Sequence, residues 1–348
     1  MAVGPTKCLW YRNGEIWTSN HIDDTRLQKA SNLYESNSNL KLKLCLKSKI
    51  LQRILRLQPR SCVRTANGYY CFAFNRALFI VNEQGEIFDK ATVRSEMRNP
   101  LQIQYLQGIK GFDDGLIYGE YGWNEGKDVV NIVRYNGKEW ESVYSFAPNT
   151  ITHIHGLIPD PERECIYILT GDQDSESGIW KATNNFISVE PLFIGKQKYR
   201  SCAAFLRNGK MIYATDTPIE KNYLLETDFS IEPKEICELP GTVINSYIQG
   251  ENWWIATAVE QNPNLPKLLH YVSSRIGPGI KDRYTHIFCI TKDMQIREVI
   301  KLKKDILPMW LFQFGNVSFV NNYRDNRILI IPMGLKRISQ KTVEIIEE

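Results

Sequence analysis

Residues 208–216 read Asn-Gly-Lys-Met-Ile-Tyr-Ala-Thr-Asp, a tight-turn pair followed by a short apolar run and a carboxylate. An Asn-Gly pair accepts the positive φ angles of a two-residue hairpin turn, and an apolar run of this length is typical of a buried strand. The stretch therefore predicts a β-hairpin whose second strand ends at a polar residue, Asp216.

The same unit recurs along the chain. Turn pairs followed by apolar and aromatic runs also begin at Asn13, Asn67, Asp114, Arg163, Gly250 and Asp325. Their intervals, about 40–55 residues except for the last, match the period of a propeller blade. The repeat predicts an all-β chain in which residues 1–348 form a single β-propeller of seven blades, with six blades as the alternative. The long last interval holds an insertion at about residues 260–280, within the penultimate blade, that is rich in Pro, Gly and Ser.

The composition excludes several classes of protein. Of 348 residues, 43% are hydrophobic and 24% are charged, which is ordinary for a globular chain and excludes a largely disordered one. The net charge of +4, from 43 basic and 39 acidic residues, is too balanced to indicate nucleic-acid binding. The eight cysteines form no CxxC pair, and the first residues contain no apolar segment typical of a signal peptide. We therefore expect reduced thiols in a cytoplasmic protein.

One stretch, residues 47–57, has the apolar spacing of a short amphipathic helix. Ile50 and Ile54 fall on one face, and Lys47 and Arg56 fall on the other. Two interpretations remain open. The helix packs its apolar face against the propeller, or its basic segment from Lys47 to Arg56 makes a peripheral contact with an anionic membrane.

Polar residues stand at corresponding positions of successive blades. Inner strands should begin, and second strands should end, at the face opposite the turns, so that these residues meet around the propeller axis. Residues at the start of inner strands are Arg60, His153, His155 and Arg200, and residues at the end of second strands are Asn20 with His21, Asn75 with Arg76, Glu120 with Tyr121, Asp172, and Asp216. We expect a single site formed by these side chains.

The histidine pair and the arginines have more than one chemical interpretation. His153 and His155 alternate along a strand, so their imidazoles project to the same side. Such a pair serves as a structural unit, as an acid or base, or as metal ligands. Arg60 and Arg200 suit bidentate contacts with the carboxylate of a ligand, or salt bridges to the next blade.

A second candidate for metal binding follows one of these strands. Asp172, Asp174 and Glu176 occupy alternate positions, which indicates either a Ca²⁺ site or an ordinary acidic loop. We expect no other cofactor, because zinc-finger and phosphate-loop motifs are absent from the sequence.

Two turn sequences suggest a family. The stretch Val133–Trp140 resembles the tail of an Asp-box (BNR repeat), the Ser-x-Asp-x-Gly-x-x-Trp turn of sialidase-like propellers, and Ile179–Asn185 resembles the start of another. The segment from Gly119 to Glu176 resembles a group of glycosyl-hydrolase-like or sialidase-like propeller proteins linked to polysaccharide biosynthesis or breakdown. The resemblance implies a propeller with a carbohydrate-active function.

The favoured hypothesis is a glycoside hydrolase that acts on an anionic or polysaccharide-derived glycan. Glu120 and Asp172 would be its carboxylate pair, assisted by His155 and His153. Contacts with the substrate would come from Arg60, Arg200, Tyr121, Asn124 and Asp216. Two alternatives remain. One is a polysaccharide lyase acting on a uronic acid, with Arg200 neutralising the carboxylate, His155 as the base and Tyr121 as the acid. The other is a non-catalytic propeller that binds a glycan or a protein.

Overall fold

The computed structural model describes residues 1–34 and 40–346. Their strands form seven sheets arranged around one axis as the blades of a β-propeller, together with four short helices. The prediction of an all-β, seven-bladed propeller is therefore confirmed.

The first four blades follow one another along the chain, and in blades 2 to 4 the strands are in sequential order from the axis outward. Blade 1 contains β1 (Ala2–Val3), β2 (Cys8–Arg12), β3 (Glu15–Ser19) and β4 (Gln28–Asn32); blade 2 contains β5 (Arg60–Arg64), β6 (Tyr70–Phe74), β7 (Ala77–Val81) and β8 (Ile87–Thr92); blade 3 contains β9 (Ile103–Leu106), β10 (Gly115–Gly119), β11 (Val130–Tyr135) and β12 (Trp140–Phe146); blade 4 contains β13 (His153–Asp160), β14 (Cys165–Gly171), β15 (Gly178–Thr183) and β16 (Ser188–Ile194).

The remaining strands complete the ring. Blade 5 contains β17 (Ser201–Arg207), β18 (Lys210–Thr215), β19 (Asn222–Thr227) and β20 (Lys234–Leu239); blade 6 contains β21 (Thr242–Gln249), β22 (Asn252–Ala258), β23 (Tyr284–Ile290) and β24 (Ile296–Lys303); blade 7 contains β25 (Asn316–Phe319), β27 (Ile328–Met333) and β28 (Val343–Ile345), while β26 (Asn321–Asn322) joins blade 1. The helices are α1 (Leu40–Lys47), α2 (Lys49–Ile54), α3 (Lys267–His270) and α4 (Met309–Phe312).

The second strand of each blade lies in the core between neighbouring blades. Every residue of β6 and of β14 is buried, which explains why these strands read as continuous apolar runs. Outer strands such as β8 alternate between half-buried and exposed positions, because only one of their faces packs on a neighbour. The apolar runs recognised in the sequence are therefore the strands that hold the blades together.

The turn pairs occupy the predicted hairpins in six blades, and one assignment was wrong. Asn208 and Gly209 have φ angles of 49° and 70° and connect β17 to β18. Asn13-Gly14 instead connects β2 to β3, because β26 and β1 already precede β2 in the strand order of that sheet. Asn20 and His21 therefore follow a third strand, and the Asn20 carbonyl accepts a hydrogen bond from Arg324.

The ring closes through its two ends. β26 pairs in parallel with β1, with Ala2 opposite Asn321 and Val3 opposite Asn322. Beside this pairing, Val3 packs with Cys8, Val320 and Leu329 in an apolar cluster that joins blade 1 to blade 7. The first and last blades are thereby held by both backbone hydrogen bonds and apolar contacts.

The predicted helix at 47–57 is two helices, and its packing differs from the expectation. α1 ends at Lys47, and α2 begins after Ser48, whose Oγ accepts a hydrogen bond from the Leu51 amide. Arg53 of α2 is buried and bonds to the Phe312 carbonyl, whereas Ile50 is 62% exposed. The basic residue packs inward because the Phe312 carbonyl of α4 and the carboxylate of Asp305 bind it, and the exposed apolar residues of α2 face solvent.

The cysteines, the helices and the long connection in blade 6 can be compared with the sequence-based expectations. All eight cysteines are unbridged, and five of them are buried. No described helix is long and apolar enough to cross a membrane. The segment 259–283, which contains the expected insertion, connects β22 to β23 within blade 6 and carries α3.

Candidate functional site

A cavity of about 1290 Å³ follows the propeller axis and is the setting of the candidate site. It is lined by residues of the inner strands of blades 2 to 7 and by Met1 of blade 1. Irregularities in strand register occur near the start of β13, β17 and β21, between Ile154 and Gly156 in the first of these. Bulges of this kind redirect side chains, and here they occur where the inner strands reach the site.

The two histidines of β13 face one another at the wall of the cavity. Their Nε2 atoms are 3.0 Å apart. The Nδ1 atom of His153 lies 2.9 Å from the carbonyl oxygen of Gly122, and that of His155 lies 3.1 Å from the carbonyl oxygen of Ser201. The expectation that both imidazoles project to the same side is met, and burial lowers the pKa of His155.

Asp172, which follows β14, connects these histidines to Arg200. Its Oδ1 atom lies 3.5 Å from Nε2 of His153, 3.3 Å from Nε2 of His155 and 2.8 Å from a guanidinium nitrogen of Arg200. Desolvation alone would raise the pKa of Asp172, but Arg200 and the two imidazoles outweigh it and hold that pKa well below its usual range. The carboxylate is ionised and its side chain is 46% exposed.

A second layer of acidic groups lies behind Arg200. Asp216, which follows β18, is buried, and its Oδ2 atom accepts a hydrogen bond of 3.1 Å from the Cys202 thiol. Within the described residues, its Oδ1 atom has no hydrogen-bond partner. Glu260 accepts a hydrogen bond from Thr242. Burial raises the pKa of Asp216 and of Glu260.

Four arginines line another part of the cavity. Arg56, Arg60, Arg76 and Arg98 all border it, and in the part of the chain that the structure describes none of them lies within 4.0 Å of a carboxylate. Burial, together with the nearby Arg60 and Arg98, lowers the pKa of Arg56. The guanidinium carbon of Arg98 lies 5.3 Å from the ring centroid of Trp123, whose side chain is exposed. Cationic and aromatic groups are thus combined at this wall.

The structure brings together most of the predicted site residues. Tyr121 lines the cavity, its ring centroid is 4.5 Å from that of His153, and burial raises its pKa. The residues brought to the cavity from the predicted set are His155, Asp172, Arg60, Arg200, Tyr121 and Asp216, with His153 in contact with three of them.

Two predicted residues have their side chains elsewhere. The Glu120 carboxylate is bound by Arg94 at 2.8 Å and by the Asn131 amide at 2.8 Å. The Asn124 side chain bonds to the backbone of Asp128 within its own loop. Neither residue borders the cavity. Glu120 follows β10 with its backbone still paired to Asn131, so its side chain turns toward the next strand of its own blade.

The carboxylates proposed for Ca²⁺ do not converge. Glu176 accepts hydrogen bonds from Thr152 and from the Gln173 amide, and Lys127 lies 3.4 Å away. Asp174 accepts a hydrogen bond from Gln197. Of these three side chains, Asp172 alone belongs to a convergent ligand group among the described residues.

The sequence analysis missed several residues of the cavity. Glu260 stands just after β22, as Asp172 stands after β14 and Asp216 after β18, so the blade register could have identified it. Arg98 and Trp123 lie in loops, and Arg98 is placed by an isolated bridge to Tyr121. No repeat in the sequence signals a contact of that kind.

Comparisons with known proteins establish the fold. No family model matches the chain, and no curated protein matches it in sequence. Among solved structures, the WD40 β-propeller domain of Doa1 has a TM-score of 0.53 at 10% identity, covering 96% of this chain and 88% of that one. The AfRom2 CNH domain has a TM-score of 0.55 at 7% identity, covering 99% and 92%. A chain of the mitotic checkpoint complex has a TM-score of 0.53 at 8% identity, covering 99% and 87%.

Proposed function

We propose that the protein is a binding propeller that holds an anionic glycan in its axial cavity. The observation that carries this proposal is the group of four arginines, Arg56, Arg60, Arg76 and Arg98, which border one cavity without a carboxylate partner among the described residues. Like charges in partial burial repel one another, and an anionic ligand relieves that repulsion through charge-assisted hydrogen bonds.

The aromatic residues favour a sugar among anionic ligands. Trp123 is 62% exposed and stacks beside Arg98, and Trp310 and Tyr121 border the same cavity. Flat apolar rings beside hydrogen-bonding groups suit the alternating apolar and hydroxylated faces of a pyranose. The cavity is larger than the roughly 300–1,000 Å³ of a typical small-molecule site, which favours an oligosaccharide over a monosaccharide.

Binding is proposed ahead of hydrolysis because of the contacts of Glu120. A glycosidase needs two carboxyl groups that flank the scissile bond. Glu120 is instead bound by Arg94 and Asn131, so Asp172 lacks the partner that the hydrolase hypothesis assigned to it. The glycan specificity suggested by the family resemblance is kept in this proposal, and the hydrolase and lyase activities become outcomes of its test.

The test compares two oligosaccharides of equal length in calorimetric titrations, oligogalacturonate as the anionic probe and a cello-oligosaccharide as the neutral one. We expect oligogalacturonate alone to bind, and the double variant R60A/R98A to bind at least about 100-fold more weakly, since the two lost charge-assisted contacts cost about 1.5–3 kcal/mol each. Arg26, which is exposed and does not border the cavity, provides the matched control R26A.

Three results would decide against the proposal. Equal affinity for the two oligosaccharides would contradict recognition of charge. Unchanged affinity in R60A/R98A would show that these arginines do not bind the oligosaccharide. Cleavage of the probe during the titration would show an enzyme in place of a binding protein. New reducing ends would then indicate a hydrolase, and an unsaturated product absorbing in the near ultraviolet would indicate a lyase.

We also propose that α1 and α2 contact an anionic membrane surface. Ile50, Leu44 and Leu55 are each more than half exposed, and Lys47 and Lys49 are exposed beside them. A short helical surface of apolar and basic residues suits the boundary between lipid headgroups and acyl chains. Its apolar side is free because the buried Arg53, rather than a leucine or isoleucine, anchors α2 to the propeller.

A further inference from the structure

We propose that His153, His155 and Asp172 form a binding site for a divalent transition-metal ion at the wall of the axial cavity. The ligand atoms would be the two Nε2 atoms and the Oδ1 atom, which lie within 4.8 Å of one another. This site is separate from the arginines that carry the proposed glycan binding, and the argument for it does not depend on that function.

The hydrogen bonds of the two imidazoles fix their tautomers. Each Nδ1 atom faces a backbone carbonyl oxygen, of Gly122 for His153 and of Ser201 for His155. A carbonyl oxygen can only accept, so each Nδ1 carries a proton, and in its neutral form each ring presents a lone pair on Nε2. A carbonyl bound to the far nitrogen is the arrangement that orients metal-ligating histidines.

The facing lone pairs require a positive species between them. The Nε2 atoms are 3.0 Å apart, and two lone pairs at that distance repel each other. Either one shared proton or a metal ion removes the repulsion. The third atom of the group makes a metal ion geometrically feasible, because Asp172 Oδ1 is almost equally distant from both nitrogens, at 3.5 and 3.3 Å.

The three separations match the face of a coordination polyhedron. With metal–ligand bonds of about 2.1 Å, adjacent ligand atoms lie about 3.4 Å apart at tetrahedral angles and about 3.0 Å apart at octahedral angles. The observed separations are 3.0, 3.3 and 3.5 Å. All three therefore lie within or close to the range expected for ligands of one ion.

Acidic groups cluster beside the three ligand atoms. Asp172 and Asp216 lie 2.8 and 3.8 Å from the guanidinium of Arg200, and Glu260 also interacts with it electrostatically. Arg200 contacts Asp172 and leaves Asp216 Oδ1 without a partner among the described residues, although Asp216 is 96% buried. Asp216 and Cys202 also group within 4.8 Å of a ring nitrogen of His155, so further donor atoms are close.

The donor set selects the class of metal. Imidazole nitrogens with a carboxylate oxygen suit Zn²⁺, Fe²⁺ or Mn²⁺, whereas Ca²⁺ prefers oxygen ligands alone. The half-exposed Asp172 side chain opens the site to the cavity, so a bound ion would be accessible to ligands there. Arg200 would keep the carboxylate oriented toward the ion, as residues that hydrogen-bond a ligating carboxylate do in other sites.

The test measures metal stoichiometry on the full-length protein after chelation and dialysis. Zn²⁺, Mn²⁺, Co²⁺ and Ca²⁺ are titrated separately, and the bound metal is quantified by elemental analysis. We expect one equivalent of at least one transition ion and no Ca²⁺, with visible absorption bands of coordinated Co²⁺. H155Q, H153Q and D172N should each lower the affinity by at least tenfold.

H286Q is the matched control, because His286 is a buried histidine that contacts two carboxylates, Asp282 and Glu298, on opposite ring nitrogens. It should retain the wild-type stoichiometry, as should R60A/R98A. Circular dichroism and thermal melting identify variants that fail to fold. If a histidine variant fails to fold, D172N still tests the site, because asparagine is close in volume to aspartate.

Two outcomes would overturn the proposal: wild-type protein that binds none of the transition ions, which would assign the histidine pair to a shared proton, or H155Q and D172N that bind them as tightly as wild type. Wild-type protein that binds a transition ion but does not bind oligogalacturonate would contradict the proposed function and leave this site in place.

Discussion

The contrast between Asp172 and Glu120 shows how far single residues can be interpreted from their position in the repeat. Both follow the second strand of a blade, and the register predicted that both would reach the axis. Asp172 does so because Arg200 of the next blade attracts it. Glu120 does not, because its carboxylate is bound by the Asn131 amide of its own blade and by Arg94, in the connection from blade 2 to blade 3. The strand register sets the backbone position of a residue. The orientation of its side chain depends on its bonding partners, which are often distant in sequence.

Glu120 is therefore expected to stabilise the fold without contacting a ligand. Replacing it by alanine removes the carboxylate to which Arg94 and the half-buried Asn131 amide both donate, so E120A should lower the free energy of unfolding by about 1.5–3 kcal/mol. Urea denaturation measures the loss. E125A, an exposed glutamate five residues away, is the control and should change stability by less than about 0.5 kcal/mol. A folded E120A protein with weakened binding of oligogalacturonate would contradict this role.

At the scale of elements, strands were more predictable than helices. An Asn-Gly pair predicts a hairpin reliably, but the pair at Asn13 shows that it does not specify which hairpin of the blade it closes. For α2, the spacing of apolar residues predicted a buried face, and the structure buries Arg53 instead. The difference arises from the Phe312 carbonyl and Asp305, more than 250 residues away, which no local pattern could reveal.

The exposed side of α1 and α2 leads to a prediction about membranes. Sedimentation with vesicles containing phosphatidylserine should carry down the wild-type protein, and I50E/L55E should reduce the bound fraction at least fivefold by placing carboxylates at an anionic, apolar boundary. Substitution of Arg53 would be unsuitable, because it breaks the ion pair with Asp305. Ile187, 86% exposed at the turn before β16, supplies the control I187E.

The membrane experiment separates charge from insertion. Vesicles of phosphatidylcholine alone should bind weakly, since they lack the anionic headgroups that attract Lys47 and Lys49. Equal sedimentation of I50E/L55E and I187E would exclude α2 as the contact, and sedimentation of none of the proteins would exclude a membrane role for this surface.

At the scale of the whole molecule, the ring explains why the site could be anticipated at all. Seven similar blades place equivalent strand ends around one axis, so Asp172, Arg200 and Asp216 meet although they are separated along the chain. What the repeat could not supply is the content of the loops, among them the residues that carry Arg98 and Trp123 to the cavity. The site residues at strand ends could therefore be predicted from the sequence repeat, whereas those in irregular loops could not.

That ring depends on a short closure, and the last prediction concerns it. β1 and β26 contribute two residues each, so apolar packing around Val3 must hold the first and seventh blades together. V3D would place an unpaired charge at a position that is 2% exposed, and we expect it to lower the free energy of unfolding by about 3–5 kcal/mol. V272D, at a position 67% exposed, makes the same change outside the closure and should have little effect.

Because the cavity is formed by all seven blades, V3D should also weaken metal and oligogalacturonate binding together, measured by the same titrations. A V3D protein that melts at the wild-type temperature would show that the ring is held closed by contacts other than these.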